Sequence, residues 1–308
     1  MTKQTKTNIY ELITNRVIEG LEEKGLKWFR PWAGSFNGPM NHTTEKNYTG
    51  FNIFWLNMVK ETEGYESNEW LTYKQGQNIG AKLKKGETAK DKSQFVVYWA
   101  VSYKHKKTGV YYNSEAQLKK AGVKPSECNK FFSMRSFYVF NIAQFENLEP
   151  KRKATDAPVF SPIEEAEKIY NNYENKPTLS HRGSQAFYQP MTHAVTMPEK
   201  DSFLSSDDYY KTLFHELTHS TGHESGLKRK GIVEFNGFGT EVYSNEELIA
   251  ELGSEYLTGI TGIKPTDDSK NSQAYINGWI KRLKDSDPKT IVVASQQAIK
   301  AVNYMLGE

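Results

Sequence analysis

The chain has 308 residues, 40 Lys and Arg against 37 Asp and Glu, and one cysteine. That length suggests two domains. The lone Cys128 excludes both an internal disulfide framework and a cysteine-based zinc finger, and fits a reducing cytosol. No apolar run approaches a membrane span, and residues 1–10 lack an apolar signal core, so the expected location is cytoplasmic.

The small net charge hides an asymmetry. Residues 1–158 carry 25 Lys and Arg against 16 Asp and Glu, a net of +9, whereas residues 159–308 carry 15 against 21, a net of −6. Five of the six Trp fall in the basic part. A basic, aromatic-rich half beside an acidic half implies two different tasks.

In chain order, Ile9, Leu12, Ile13, Val17 and Leu21 recur at helical spacing, with Gly25 as the stop. Trp28-Phe29-Arg30-Pro31-Trp32 is an aromatic stretch broken by proline, and residues 41–50 read as a polar, turn-rich loop. Residues 51–59 are apolar enough for a buried helix, and Thr72 is a candidate N-cap for a short one. Residues 94–103 and 109–112 read as strands joined by the basic turn at 104–108, residues 114–121 as a helix, and residues 134–141 as a third strand. Prolines and basic residues at 150–162 mark a linker between domains at 1–149 and 163–308. Beyond it come a helix over 162–173, an extended stretch over 187–197, and two strong helices over 207–221 and 245–260. The expected fold class is α+β in two domains.

Chemistry concentrates in His215-Glu216-Leu217-Thr218-His219. On a helix, residues four apart stand one turn apart on one face, so both imidazoles can grip one ion. Glu216 then sits beside the open coordination position as the general base. Ser205 with Asp208 resembles a capping box, Tyr210, Leu213, Phe214, Leu217 and Thr221 form a largely apolar stripe, and Gly222 closes the helix. The bland alternative is two satisfied histidines on an amphipathic helix.

A third ligand is needed, and the second helix offers Glu247 and Glu251 one turn apart. Ser244 with Glu247 also fits a capping box, which is the ordinary reading of that glutamate. Beside the histidine pair, a His2Glu zinc site is the better reading, with Glu247 as ligand and Glu251 orienting an imidazole from behind, or the two exchanged. His223 is an alternative ligand, although the three-histidine pattern H-E-x-x-H-x-x-G-x-x-H expects its last histidine where Ser225 stands. The expected ion is Zn2+, with Mn2+ as an alternative. Residues 186–196 are the candidate edge along which a peptide adds as a strand.

Single-stranded nucleic acid calls for cations along the backbone and flat rings for stacking. The basic part has both, with Lys82, Lys84 and Lys85 before Gly86, Lys104 to Lys107 at the turn, and Trp28, Trp32, Tyr48, Trp70 and Trp99 as platforms. The plain alternative is a buried tryptophan core and solvated lysines.

A series of stretches stands out together: Arg30-Pro31-Trp32, Asn41, Tyr48 to Asn52, Trp70 to Gln75, Gly80, Lys84 to Glu87 and Tyr138 to Gln144, then Tyr188, Pro190, Met197-Pro198, His215 to His223, Arg229 and Glu246 to Glu251. In these stretches the chain resembles the ArdC antirestriction family of conjugative plasmids and phages. That resemblance runs in order over nearly the whole chain. It implies an N-terminal single-stranded-DNA-binding domain, a C-terminal zincin-like peptidase domain, and protection of incoming DNA from host restriction. With the aromatic platform Trp28, the residues Arg30, Trp32, Asn41, Tyr48, Asn52, Trp70, Lys74, Gln75, Lys84 and Lys85 of the matching stretches are the candidate DNA contacts. Related Glu-x-x-Ala peptidases place the third ligand on Glu247. One departure is His193, where the family pattern expects an acidic residue. The expected partners are single-stranded DNA and an unidentified protein substrate, with the host restriction system one source. Two alternatives stand beside this: a DNA-protecting protein with a non-catalytic zincin domain, and a regulatory protease cleaving a repressor or toxin.

Overall fold

A computed structural model describes residues 9–24, 38–87, 92–152, 162–234, 241–264 and 269–308. Trp28, Arg30 and Trp32, and residues 153–161 of the expected linker, lie outside the described residues. In chain order the elements begin α1 (Ile9–Lys24), β1 (Met40–Asn41), α2 (Phe51–Glu63), β2 (Glu69–Leu71), α3 (Tyr73–Asn78), β3 (Lys82–Leu83), β4 (Gln94–His105), β5 (Tyr111–Tyr112), α4 (Glu115–Lys120), β6 (Cys128–Asn141) and β7 (Phe145–Glu146). They continue with α5 (Pro162–Asn172), β8 (Thr178–His181), β9 (Phe187–Gln189), β10 (Ala194–Met197), α6 (Ser206–Ser220), α7 (Lys230–Val233), α8 (Glu241–Thr261), α9 (Ser269–Asp285) and α10 (Thr290–Leu306). The mixture fits the α+β class.

By internal contacts the chain divides into two compact units, residues 1–9 with 70–148, and residues 10–69 with 149–308. In the first unit, β4 and β6 pair antiparallel along twelve consecutive positions, from Gln94 opposite Val139 to His105 opposite Cys128. The strand expected over 134–141 thus reaches back to Cys128. That longer reach was hidden because Asn129, Lys130 and Ser133 interrupt the apolar alternation. β5 extends the sheet on the β4 side, and Trp70 and Leu71 pair with Asn141 and Phe140 on the other. Leu71, Phe140, Ile142 and Phe145 form a core at one end, and Tyr103, Leu118 and Cys128 a second beneath α4. Thr72 caps α3 as its sequence suggests, within a capping box closed by Gln75.

The second unit places α1 and α2 with the C-terminal helices, so residues 10–69 group differently from the boundary drawn at 149. Long-range contacts account for this. Thr14 Oγ1 donates to the Pro288 carbonyl at 2.8 Å, Lys284 pairs with Glu22 at 2.8 Å, and α2 packs on α10. The first residues of the expected linker are also held: the Arg152 amide donates to Glu69 and its guanidinium to the Gly38 carbonyl and Asn47. In the small sheet β10 is central, parallel to β8 and antiparallel to β9. The stretch expected as one extended edge is instead two strands broken by a turn at Pro190–Thr192, with Ala194–Met197 interior and Phe187–Gln189 at an edge. α6 packs beneath both β9 and β10.

Candidate metal centre

α6 begins where its sequence suggests, with Ser205 Oγ accepting the Asp208 amide at 3.1 Å. Its buried positions include Tyr209, Tyr210, Leu213, Phe214, Leu217 and Thr218. α8 begins at Glu241, so Ser244 lies inside the helix and is no cap. The capping-box reading of Glu247 falls with it, and the side chain is released for other work.

The two helices run antiparallel, as three contacts in register establish. Lys211 meets Glu255 at 2.5 Å, His215 meets Glu251 at 3.4 Å, and His219 meets Glu247 at 3.5 Å. Each step of four residues forward on α6 is matched by four back on α8. Gly253 sets the separation, because a Cβ there would lie 2.5 Å from Thr218 Cγ2 and 2.6 Å from its Oγ1. Thr218 is fully buried between the two histidines.

This packing brings His215, His219 and Glu247 together, with one potential ligand atom from each inside a 4.8 Å span. The two Nε2 atoms are 3.2 Å apart, and each lies 3.5 Å from an oxygen of Glu247. Both outer nitrogens face carboxylates: His215 Nδ1 is 3.4 Å from Glu251, and His219 Nδ1 is 3.4 Å from Glu246. With Nδ1–H turned outward, the Nε2 lone pairs point at each other and at a carboxylate. Such a convergence is favourable only around a cation or around added protons. The donor set fits a divalent ion of the single-zinc peptidase kind, with each ligating imidazole oriented by a carboxylate behind it.

The electrostatics agree. Burial pulls the His215 imidazole down, but Glu247 and Glu251 outweigh it and raise the group to about 10. His219 is raised in the same way, against its burial, by Glu246 and Glu247. Glu246 is buried, which pushes it up, yet His219 and Arg229 hold its carboxyl below the ordinary range. His215 and Glu247 keep 23% and 25% of their side-chain surface, against 9% for His219, so the centre opens to solvent on the His215–Glu247 side. Glu216 is buried.

Sequence reasoning assigned no role to Glu246 or Arg229. The Arg229 guanidinium is buried and donates to Glu246, to Thr221 Oγ1 at 2.6 Å and to the Thr218 carbonyl at 2.7 Å. The signal was present as adjacent glutamates and an arginine shortly after the motif, but only the rotation of α8 decides which glutamate faces which imidazole. His223 lies outside the cluster. Its ring stacks on His193 at 4.2 Å, and its Nδ1 is 2.7 Å from Ser225 Oγ. His193 has a left-handed backbone, φ 46°, and is tied to Tyr188 and to the Asn175 carbonyl.

The candidate DNA contacts are placed unevenly. Trp70 and Asn52 are buried, so they present nothing to a nucleic acid and are corrected to core residues. The hydrophobic environment that makes a tryptophan attractive for stacking also makes it attractive for burial. Gln75 closes the α3 capping box. Asn41 Oδ1 accepts from the amides and hydroxyls of Thr43 and Thr44, and Tyr48 meets Asn41. Lys74, Lys84 and Lys85 are exposed.

Residues 7–140 match ArdcN, the N-terminal domain of anti-restriction factor ArdC, and residues 164–297 match MPTase-PolyVal, a zincin-like metallopeptidase family. The chain is an ArdC-type protein. Crystal structures of the antirestriction ArdC protein from plasmid R388 are similar over 97% of both chains. The metal-free form has a TM-score of 0.70 at 28% identity, and the Mn(II)-bound form 0.71 at 27%. Among curated relatives, a DNA primase TraC of Escherichia coli is 34% identical over 98% of this chain, and protein y4eC of Sinorhizobium fredii is 29% identical over 99%. The ArdC-type chain covers 93% of y4eC but only 20% of that TraC and 27% of a second. Among the described residues, no helix is long and apolar enough to cross a membrane.

Proposed function

We propose that this chain is an antirestriction-type protein of a mobile element, which binds single-stranded DNA through its basic unit and hydrolyses peptide bonds at the centre between α6 and α8. One observation carries the peptidase reading: two Nε2 atoms and Glu247 converge while both outer nitrogens are already turned to carboxylates. A divalent ion bound there, zinc or manganese, supplies a Lewis acid for a peptide carbonyl and for water. His215, His219 and Glu247 hold it. Glu251 and Glu246 keep the imidazoles turned inward. Glu216, next to His215 on the helix, accepts a proton from the attacking water on its carboxylate and passes it to the leaving amine. The edge strand Phe187–Gln189 offers backbone groups to an extended substrate.

The DNA-binding reading is supported by the ArdC N-terminal match and by charge. Residues 70–148 hold 14 Lys and Arg against five Asp and Glu, a net of +9, so the remaining residues of the chain together carry −6. A surface of that sign lowers its free energy by displacing counterions from a phosphate backbone.

The test pairs metal analysis with a cleavage assay on a peptide library. The metal-loaded protein is expected to cleave, a chelator to stop it, and Glu216→Ala to keep fold and metal while losing hydrolysis. Cleavage by metal-loaded Glu216→Ala removes Glu216 from the reaction. A loaded wild-type protein that cleaves nothing leaves a non-catalytic zincin domain beside the DNA-binding unit.

A further inference from the structure

One face of the β5–β4–β6 sheet exposes four rings beside two cations, although Val96 at its end is buried. Directly paired residues of an antiparallel ladder share a face. Tyr98 pairs with Arg135, Val96 with Phe137, Ser102 with Phe131, and Lys104 with both Asn129 and Tyr111. Tyr98, Phe131, Phe137 and Tyr111 therefore stand on one face and are 45%, 45%, 36% and 61% exposed. Tyr98 and Phe137 meet edge to face at 5.6 Å, and the Lys104 ammonium lies 5.2 Å over the Tyr111 ring. Between the rings are small residues, Ala100 and Ser133, which leave the rings proud of the sheet. No position of this face carries Asp or Glu. The opposite face also exposes rings, Trp99, Phe132 and Tyr138, with the Lys130 ammonium 5.2 Å over Phe132, but α4 and the Tyr103, Leu118 and Cys128 cluster close one end of it.

Exposed rings on a strand ordinarily invite self-association. Here Arg135 and Lys104 interleave with them in the unit that holds the chain's entire basic excess, and that charge disfavours a second copy while it attracts a polyanion. Same-face positions along a strand repeat at roughly 6.8 Å, so each ring is separately available to a flat ligand. Flat, sequence-independent stacking beside backbone cations is the chemistry of single-stranded nucleic acid recognition.

We infer that Tyr98, Phe131, Phe137 and Tyr111 form a base-stacking platform for single-stranded DNA, with Arg135 and Lys104 engaging its phosphates. This inference rests on the reading that the chain binds single-stranded DNA, and moves the contacts from the buried Trp70 to a sheet face.

The experiment uses the full chain and two labelled strands of equal length, oligo(dT) and an abasic strand with the same phosphates. The wild-type protein is expected to prefer oligo(dT). Tyr98→Ala/Phe131→Ala/Phe137→Ala is expected to lose on the order of tenfold or more for oligo(dT) and to bind the abasic strand as the wild type does. Arg135→Ala is expected to weaken both strands and to lower the salt slope by about 0.7. Unchanged binding of the abasic strand by the triple variant excludes a general folding defect, and Trp99→Ala/Phe132→Ala on the opposite face is expected to keep the preference, whereas its loss there would place the stacking on that face and overturn this platform. If the wild type binds both strands equally, or the triple variant keeps the preference, the platform is overturned while DNA binding stands. If the wild type binds neither strand, DNA binding fails and the platform with it. A wild-type dimer that the triple variant dissolves, with DNA affinity unchanged, assigns the face to self-association and also overturns the platform.

Discussion

A buried guanidinium bonded at once to a carboxylate, a hydroxyl and a helix carbonyl has little freedom to move, and Arg229 is in that position behind the metal centre. It fixes Glu246, which faces His219 Nδ1, so the orientation of one proposed ligand depends on a residue outside the proposed ligand set. The glycines around it have no spare room. A Cβ at Gly231 would lie 2.7 Å from Glu246 Cβ, and one at Gly222 would lie 2.7 Å from Ile232. Arg229→Met is expected to lower metal affinity by about 10–100-fold, measured by calorimetry, with Arg229→Lys recovering part because it restores charge but not the forked geometry. Unchanged affinity in Arg229→Met would show that Glu246 needs no such support. A second prediction concerns protons. His215 is raised to about 10 in the ion-free fold, so its contribution to apo stability is complete below roughly 6.5 and is lost as pH rises through the folded value. Metal binding runs the other way, because the ion takes the nitrogen the proton occupied. Proton release on metal binding should persist above neutral pH, read from calorimetry in buffers of different ionisation enthalpy. Absence of proton release at pH 8 would contradict the raised imidazole. The two imidazoles and the base could be proposed from sequence because H-E-x-x-H needs nothing but a helix, and Glu247 because it stands one turn from Glu251 on a second one. Glu246 and Arg229 could not, since their roles depend on the phase of α8 and the path of the loop between the helices.

At the scale of elements, the fit between α6 and α8 decides whether three ligands meet. Caps, stripe and stop made α6 legible, and α8 was legible through its apolar face, but its first turn was not, because Ser244 and Glu247 imitate a helix start while the helix begins at Glu241. What brings the pair together is a single missing side chain. Gly253→Ala would place a methyl 2.5 Å from the buried Thr218 Cγ2, an overpacking that typically costs about 1–3 kcal/mol. The helices must part at a point between the two histidines, so the variant is expected to lose metal affinity as well as stability. Thr218→Ala made together with Gly253→Ala removes the two nearest atoms and leaves only the Thr218 Cβ position at 3.1 Å, and should recover affinity more fully than stability, since it also removes Thr218's bond to the Phe214 carbonyl. The comparison is melting temperature with and without metal for both variants. Failure of the second substitution to recover binding would mean that the helix separation is set elsewhere.

Across the whole molecule, charge was legible from composition but its location was not. The basic excess of the N-terminal half resides in residues 70–148, and residues 10–69 group with the C-terminal helices through contacts such as Thr14 to Pro288, 274 residues apart, which no local pattern announces. The candidate metal centre and the basic residues consequently belong to different compact units. An ion bound only by the folded state stabilises it by about 2.7 kcal/mol at a hundredfold excess over Kd, and that stabilisation acts on the unit containing α6 and α8. The cations and rings expected to meet DNA owe nothing to it. Chelation is therefore expected to lower the melting temperature and stop hydrolysis while leaving oligo(dT) affinity and its salt slope where they were. Fluorescence anisotropy on the apo and metal-loaded protein checks this directly. A shift in DNA affinity on adding the ion would establish coupling between the two sites, and by linkage DNA would then have to change metal affinity by the same factor.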